Sequence, residues 1–132
     1  MVFIYHLEDH PDYAPLTQTI FDAWESGRTC GVTSVITLLE ILIQPKRAGQ
    51  RQIAADYRDV LIRFPNLLLQ EITIDIVEIA SDLRATYQLR TPDALQLATG
   101  LATDATGFIT NDAALRRVSE IDVLLLDEIL TD

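Results

Sequence analysis

Of the twenty acidic residues in this 132-residue chain, three stand where a solvated helix face does not explain them. Glu40 is the only charged residue in Ser34–Leu42, SVITLLEIL. An ionised carboxylate in so apolar a stretch is costly unless it is paired or binds a metal. Asp93 lies in the first turn after Thr91-Pro92, where an acid also complements the helix dipole. Asp112 follows Phe108–Thr110 in the run TND, where a turn residue, or a cap for a short helix from Ala113, is the plainer explanation. Each position alone is weak; together they are one buried acid, one acid at a helix start and one at a strand end. Carboxylates gathered in one pocket repel and raise each other's pKa. A hard divalent cation resolves that conflict, because Mg²⁺ takes oxygen ligands, usually one or two carboxylates with waters and phosphate oxygens. Such a centre polarises a phosphodiester and generates a hydroxide nucleophile. His6 and His10 read as surface or helix-packing residues, since no Cys/His set has zinc spacing. There is no phosphate-cradling Gly-rich loop and no G-x-S-x-G elbow.

The elements that must hold these acids follow from periodicity. Tyr13–Glu25 predicts a helix, with Asp12 as cap, Pro15 in the first turn, and Leu16, Ile20, Ala23 and Trp24 on one stripe. Thr29–Thr33 predicts a strand. Ser34–Leu42 predicts a helix apolar on almost every side, hence buried, and ended by Pro45. Ala48–Phe64 predicts an amphipathic helix with Ile53, Tyr57, Val60, Leu61 and Phe64 at helical spacing, and Leu67–Ile72 a strand. Ile74–Tyr87 predicts a helix burying Ile76, Ile79, Ala80, Leu83 and Tyr87. Thr91 reads as the cap of the next helix, with Pro92 at its first position. Phe108–Thr110 and Val123–Leu126 complete the strands. Strands alternating with helices imply an α/β fold with a parallel sheet and helices on both faces. In such folds sites form beyond the C-terminal ends of the strands.

Composition bounds the function. Apolar residues make up 48% and charged residues 23%, which fits one globular domain spanning 1–132. No apolar run approaches the ~20 residues of a membrane span, and the opening run has no basic lead-in of a signal peptide. A lone cysteine, Cys30, suits a reducing cytoplasm and reads as a small buried residue rather than a nucleophile. The net charge of −10 opposes casual nucleic-acid binding, though not an enzyme that meets nucleic acid through metal ions. Lys46, Arg47, Arg51, Arg58 and Arg63 are half of the ten cations and read as a solvated helix face ahead of an RNA contact.

Four stretches in this order, FIYHLEDHPDY, TSVITLLEIL, LRTPDALQLATG and FITNDAAL, resemble the PIN-domain family, and within it the VapC-type toxins of bacterial toxin–antitoxin pairs. The resemblance runs over nearly the whole chain. It implies a three-layer sandwich, a parallel sheet flanked by helices, and a metal-dependent ribonuclease acting on single-stranded RNA. The family's acids carry over as Glu40, Asp93 and Asp112, implied to hold Mg²⁺ or Mn²⁺ and position an attacking water. Thr110 and Asn111 match flanking positions that orient water or phosphate, and Thr37 is a supporting hydroxyl. The resemblance also implies a homodimer and an antitoxin whose tail covers the acidic groove. An acidic toxin with a cationic inhibitor segment is electrostatically reasonable.

The departure is at the start. The family begins with a short apolar strand ending in an aspartate; here the segment matching the residues after it, VFIYHLE, begins at Val2, and the matching aspartate is absent. In one explanation the given chain lacks that first strand, and Phe3–Leu7 starts a helix; the resemblance favours this. In the other, Val2–His6 takes the strand's place and Glu8 or Asp9 supplies a fourth carboxylate, which the β-forming residues favour. Two further functions remain in view. One is a catalytically impaired PIN-like binding module. The other is a receiver-like phosphate-handling domain, disfavoured because Lys46 is the only lysine and stands at no strand end.

Overall fold

The computed structural model describes residues 14–129. Helix α1 (Ala14–Glu25) leads through a turn to strand β1 (Gly31–Ser34), then helices α2 (Val35–Arg47) and α3 (Arg51–Arg63) and strand β2 (Leu67–Gln70). Helices α4 (Ile74–Tyr87) and α5 (Thr91–Ala102) follow, then strand β3 (Gly107–Thr110), a 3₁₀ turn η1 (Ala113–Arg117), strand β4 (Asp122–Leu125) and the short helix α6 (Leu126–Ile129). The predicted α/β alternation is therefore observed. The opening run Val2–His6, with Glu8, Asp9 and His10, and the cap at Asp12 lie outside the described residues.

Among the described residues all strand pairing is parallel. β1 pairs with β2, Gly31 opposite Leu67 through Ser34 opposite Gln70. β3 pairs with β4, Gly107 opposite Asp122 through Thr110 opposite Leu125. Among the described residues these are two separate two-stranded sheets, with no strand joining β1 to β3. Each sheet carries its own core. Ile41, Leu61 and Leu67 pack with Trp24, Leu38 and Phe64 beside the first. A larger cluster of Ile76, Ala80, Leu83, Leu97, Leu115 and Val118 joins α4, α5 and η1 beside the second.

Local chemistry explains the element ends. Ser34 is the N-cap of α2; its Oγ accepts from the Ile36 N–H at 3.2 Å. Thr73 caps α4 in the same way, accepting from the Ile76 N–H at 3.2 Å, and Gln88 closes that helix in the left-handed region at φ 55°. The turn before β2 carries Asn66 at φ 59°, whose Nδ2 donates to the Trp24 carbonyl at 2.7 Å.

Four expectations need correction. Pro45 does not end α2 but lies buried inside it; the missing N–H forfeits one bond, and the stop comes at Gly49, φ 71°, where the Gln50 N–H returns to the Pro45 carbonyl at 2.8 Å. Helix α2 is not buried all round. Thr37, Ile41 and Pro45 face inward, while Leu39, on another face, is 61% exposed. The cap position of α5 is held by Arg90, with Thr91 and Pro92 already helical. Cys30 is exposed, because the strand starts one residue later and leaves it on the connecting segment.

Candidate active site

The three singled-out acids line one cavity of ≈630 Å³. Its walls are α2 and α5 on one side and β3 with the TND turn on the other, and both β1 and β3 contribute to it. Thr37, Thr110 and Asn111 line it as well, so all six residues singled out from the sequence face the same space. This is the region beyond the strand ends where an α/β fold builds its sites.

Glu40 is half-buried on α2. Burial pushes its carboxyl above the ordinary 4.5; the negative charge of Asp93 pushes the same way, and Arg90 pulls it down. Asp93, in the first turn of α5, accepts from the Arg90 Nε at 3.2 Å. Asp112 is both a wall residue and the N-cap of η1, its Oδ1 accepting from the Ala114 N–H at 3.0 Å. The Asp112 N–H in turn donates to Thr110 Oγ1 at 3.1 Å, which fixes the shape of the turn. Among the described residues no three acidic, His or Cys side chains already stand as a metal-holding group. Glu40 and Asp93 are close enough for charge to couple them; Asp112 lines the same cavity from the turn after β3.

The donor set suits a hard cation. Carboxylates from Glu40, Asp93 and Asp112, a hydroxyl from Thr110 and an amide carbonyl from Asn111 are all oxygen ligands. Mg²⁺ commonly takes only one or two carboxylates and completes its shell with water and phosphate oxygens.

Thr37, the supporting hydroxyl expected from the sequence, belongs to a polar network whose other members, Thr33 and Gln96, the sequence reading missed. Thr37 Oγ1 shares a hydrogen bond with Thr33 Oγ1 at 2.6 Å and accepts from Gln96 Nε2 at 2.8 Å. The signal was present: Gln96 interrupts the apolar run ALQLA as Glu40 interrupts SVITLLEIL. Arg90 was also passed over as a wall residue.

A model of the PIN domain matches residues 1–121. The chain belongs to the PIN-domain family. No curated protein sequence matches it. The fold is similar to a toxin–antitoxin complex from Klebsiella pneumoniae, with a TM-score of 0.71 at 22% identity over 94% of this chain and 92% of that one. It is also similar to VapBC2 from Rickettsia felis bound to a DNA fragment from their promoter, with a TM-score of 0.74 at 15% identity and the same coverage. The expected PIN-like α/β fold is thus observed. Among the described residues no helix of this PIN domain is long and apolar enough to cross a membrane.

Proposed function

We propose that this PIN domain is a metal-dependent endoribonuclease that cuts single-stranded RNA, the toxin half of a toxin–antitoxin pair working in the cytoplasm. The observation that carries the reading is the meeting of Glu40, Asp93 and Asp112 at one cavity of a PIN fold. Glu40 and Asp93 would hold Mg²⁺ or Mn²⁺, with Asp112 acting from the facing wall. The cation, when bound, supplies Lewis-acid polarisation of the phosphodiester. The chain's own residues do the rest. The raised pKa makes Glu40 a carboxyl that gains from a neighbouring cation. Thr110 and Asn111 orient water or a phosphate oxygen, and Thr37 supports Glu40 from one helical turn away. A groove walled by acids repels bare RNA, so the cation also makes the approach of phosphate possible. The same acidity suits an antitoxin with a cationic segment, and a second copy of the chain is the expected companion in a homodimer.

A second reading is a PIN-like binding module without catalysis. Its support is that, among the described residues, no three acids stand as a ready metal group. One assay separates the two. The purified chain is incubated with single-stranded RNA and Mn²⁺, with excess chelator, and as Asp93→Asn. The nuclease reading expects cleavage only in the first case. Equal cleavage in all three would remove the metal mechanism, and none in any would favour the binding module.

A further inference from the structure

We infer that Gln96 is a positioning residue that sets the spacing of Glu40 and Asp93 by acting through Thr37. The inference rests on the nuclease reading above and deepens it. The Gln96 side chain is held at both ends. Its Oε1 accepts from the Ser34 N–H at 3.3 Å, and its Nε2 donates to Thr37 Oγ1 at 2.8 Å. Ser34 is 0% and Thr37 2% exposed, so neither has water as a substitute partner. Because the Ser34 N–H demands an acceptor, the amide can face only one way, with its donor on Thr37. Thr37 is tied on to Thr33 at 2.6 Å. One neutral amide therefore joins the end of β1, the first turn of α2 and the body of α5.

The spacing gives this link its effect on the site. Thr37 and Glu40 are three residues apart on α2, and Asp93 and Gln96 are three apart on α5. Residues so spaced are neighbours on one helix face. The link thus lies one turn from the acid on each helix. Both carboxylates line one cavity, where like charges repel, and that repulsion works against the packing of α2 on α5. The amide link resists it while adding no charge to the groove. Glu40 and Asp93 then remain at a separation one cation can bridge.

The test uses the full chain with Mn²⁺ alone, by titration calorimetry, and then single-stranded RNA with Mn²⁺. Gln96→Met keeps the length and loses both hydrogen bonds. Thr37→Val is isosteric and removes the same link from its other end, so a folding failure of one variant leaves the other. Each should weaken Mn²⁺ binding by roughly tenfold, as loss of outer-shell partners does, and lower kcat by a similar factor. KM for RNA should stay within about twofold. The double variant should lose less than the sum of the single ones, because both cut the Gln96–Thr37 bond. Wild-type Mn²⁺ affinity and kcat in both variants would overturn the inference, as would additive losses or an effect confined to KM. An unsubstituted chain that binds no Mn²⁺ overturns the nuclease reading itself, and this inference with it.

Discussion

Asp112 does two things that one pair of substitutions can separate. It caps η1 through the 3.0 Å bond from the Ala114 N–H, and its charge faces the cavity. Asparagine caps as well as aspartate, whereas alanine in a cap position costs about 0.5–2 kcal/mol. The lower half of that range applies here. η1 has only five residues, Asp112 is exposed, and Leu115 and Val118 stay anchored at 3% and 2% exposure whatever the cap does. Asp112→Ala should therefore lose about 0.5–1 kcal/mol, roughly 2–4 °C in Tm for a domain of this size. Asp112→Asn should melt within about 1 °C of the parent chain, since the cap is kept. Activity should not follow stability. If the charge serves the site, both variants lose at least about 100-fold in Mn²⁺-dependent RNA cleavage, because electrostatic stabilisation of a phosphoryl transition state is worth several kcal/mol. Melting by circular dichroism and a cleavage time course read the two effects independently. An Asp112→Asn variant that cleaves RNA within about threefold of the parent rate would refute the catalytic role and leave Asp112 as a cap alone.

Two other perturbations test the site's electrostatics and its support. Glu40 has a folded pKa above its ordinary 4.5, so between that value and the higher folded one the native state binds the extra proton and stability falls as pH rises. In metal-free buffer Glu40→Gln should accordingly melt higher than the parent at neutral pH and alongside it near pH 4; a constant difference across that range would contradict the burial argument. Gly31 has no room for a side chain: an added Cβ would lie 2.6 Å from Trp24 Cζ2 and 2.9 Å from Cδ2. Trp24 cannot easily yield, because its ring packs edge-on against Phe21 at 5.1 Å and Phe64 at 6.2 Å. Gly31→Ala should cost about 2–3 kcal/mol by overpacking, and adding Trp24→Leu should recover part of the loss in urea melts; an unchanged midpoint would show that the close approach does not matter.

Much of the scaffold was legible because its signals are local. Helix α4 falls at Ile74–Tyr87 as its pattern predicts, and both ends have a local reason, the Thr73 cap and the left-handed Gln88. The predicted strands agree with the observed ones to within two residues at each end. Three readings failed where tertiary packing outweighed the local rule. A buried proline in the last turn of α2 lost one hydrogen bond without breaking the helix. Leu39 looked like core by composition but is exposed, since only one face of α2 meets the rest of the protein. Cys30 reads as a small buried residue by its type, but it stands just before β1 on the connecting segment and is exposed. Strand order was not legible either, since sequence periodicity does not report which edges pair.

The site residues divide on a similar principle. Glu40 and Gln96 were both marked by polarity inside an apolar run, but only one drew notice, because a carboxylate is visibly costly there and an amide is not. The structure makes them parts of one arrangement: the charge lines the cavity, and the amide ties together the helices that carry the charges. Asp112 belongs to a different half. It stands at the end of β3, whose sheet partner is β4, while Glu40 and Asp93 are carried by helices packed on β1. Among the described residues nothing in the sheets joins those halves. A cation held by Glu40 and Asp93 would depend on how α2 and α5 are held together, by the Gln96 link and by their shared packing on β1, whereas the part proposed for Asp112 would depend on how β1 and β3 are held relative to each other. The two dependencies are separable. Loosening the Gln96 link should weaken Mn²⁺ binding first, whereas removing the Asp112 charge should lower turnover while leaving Mn²⁺ bound by the remaining pair.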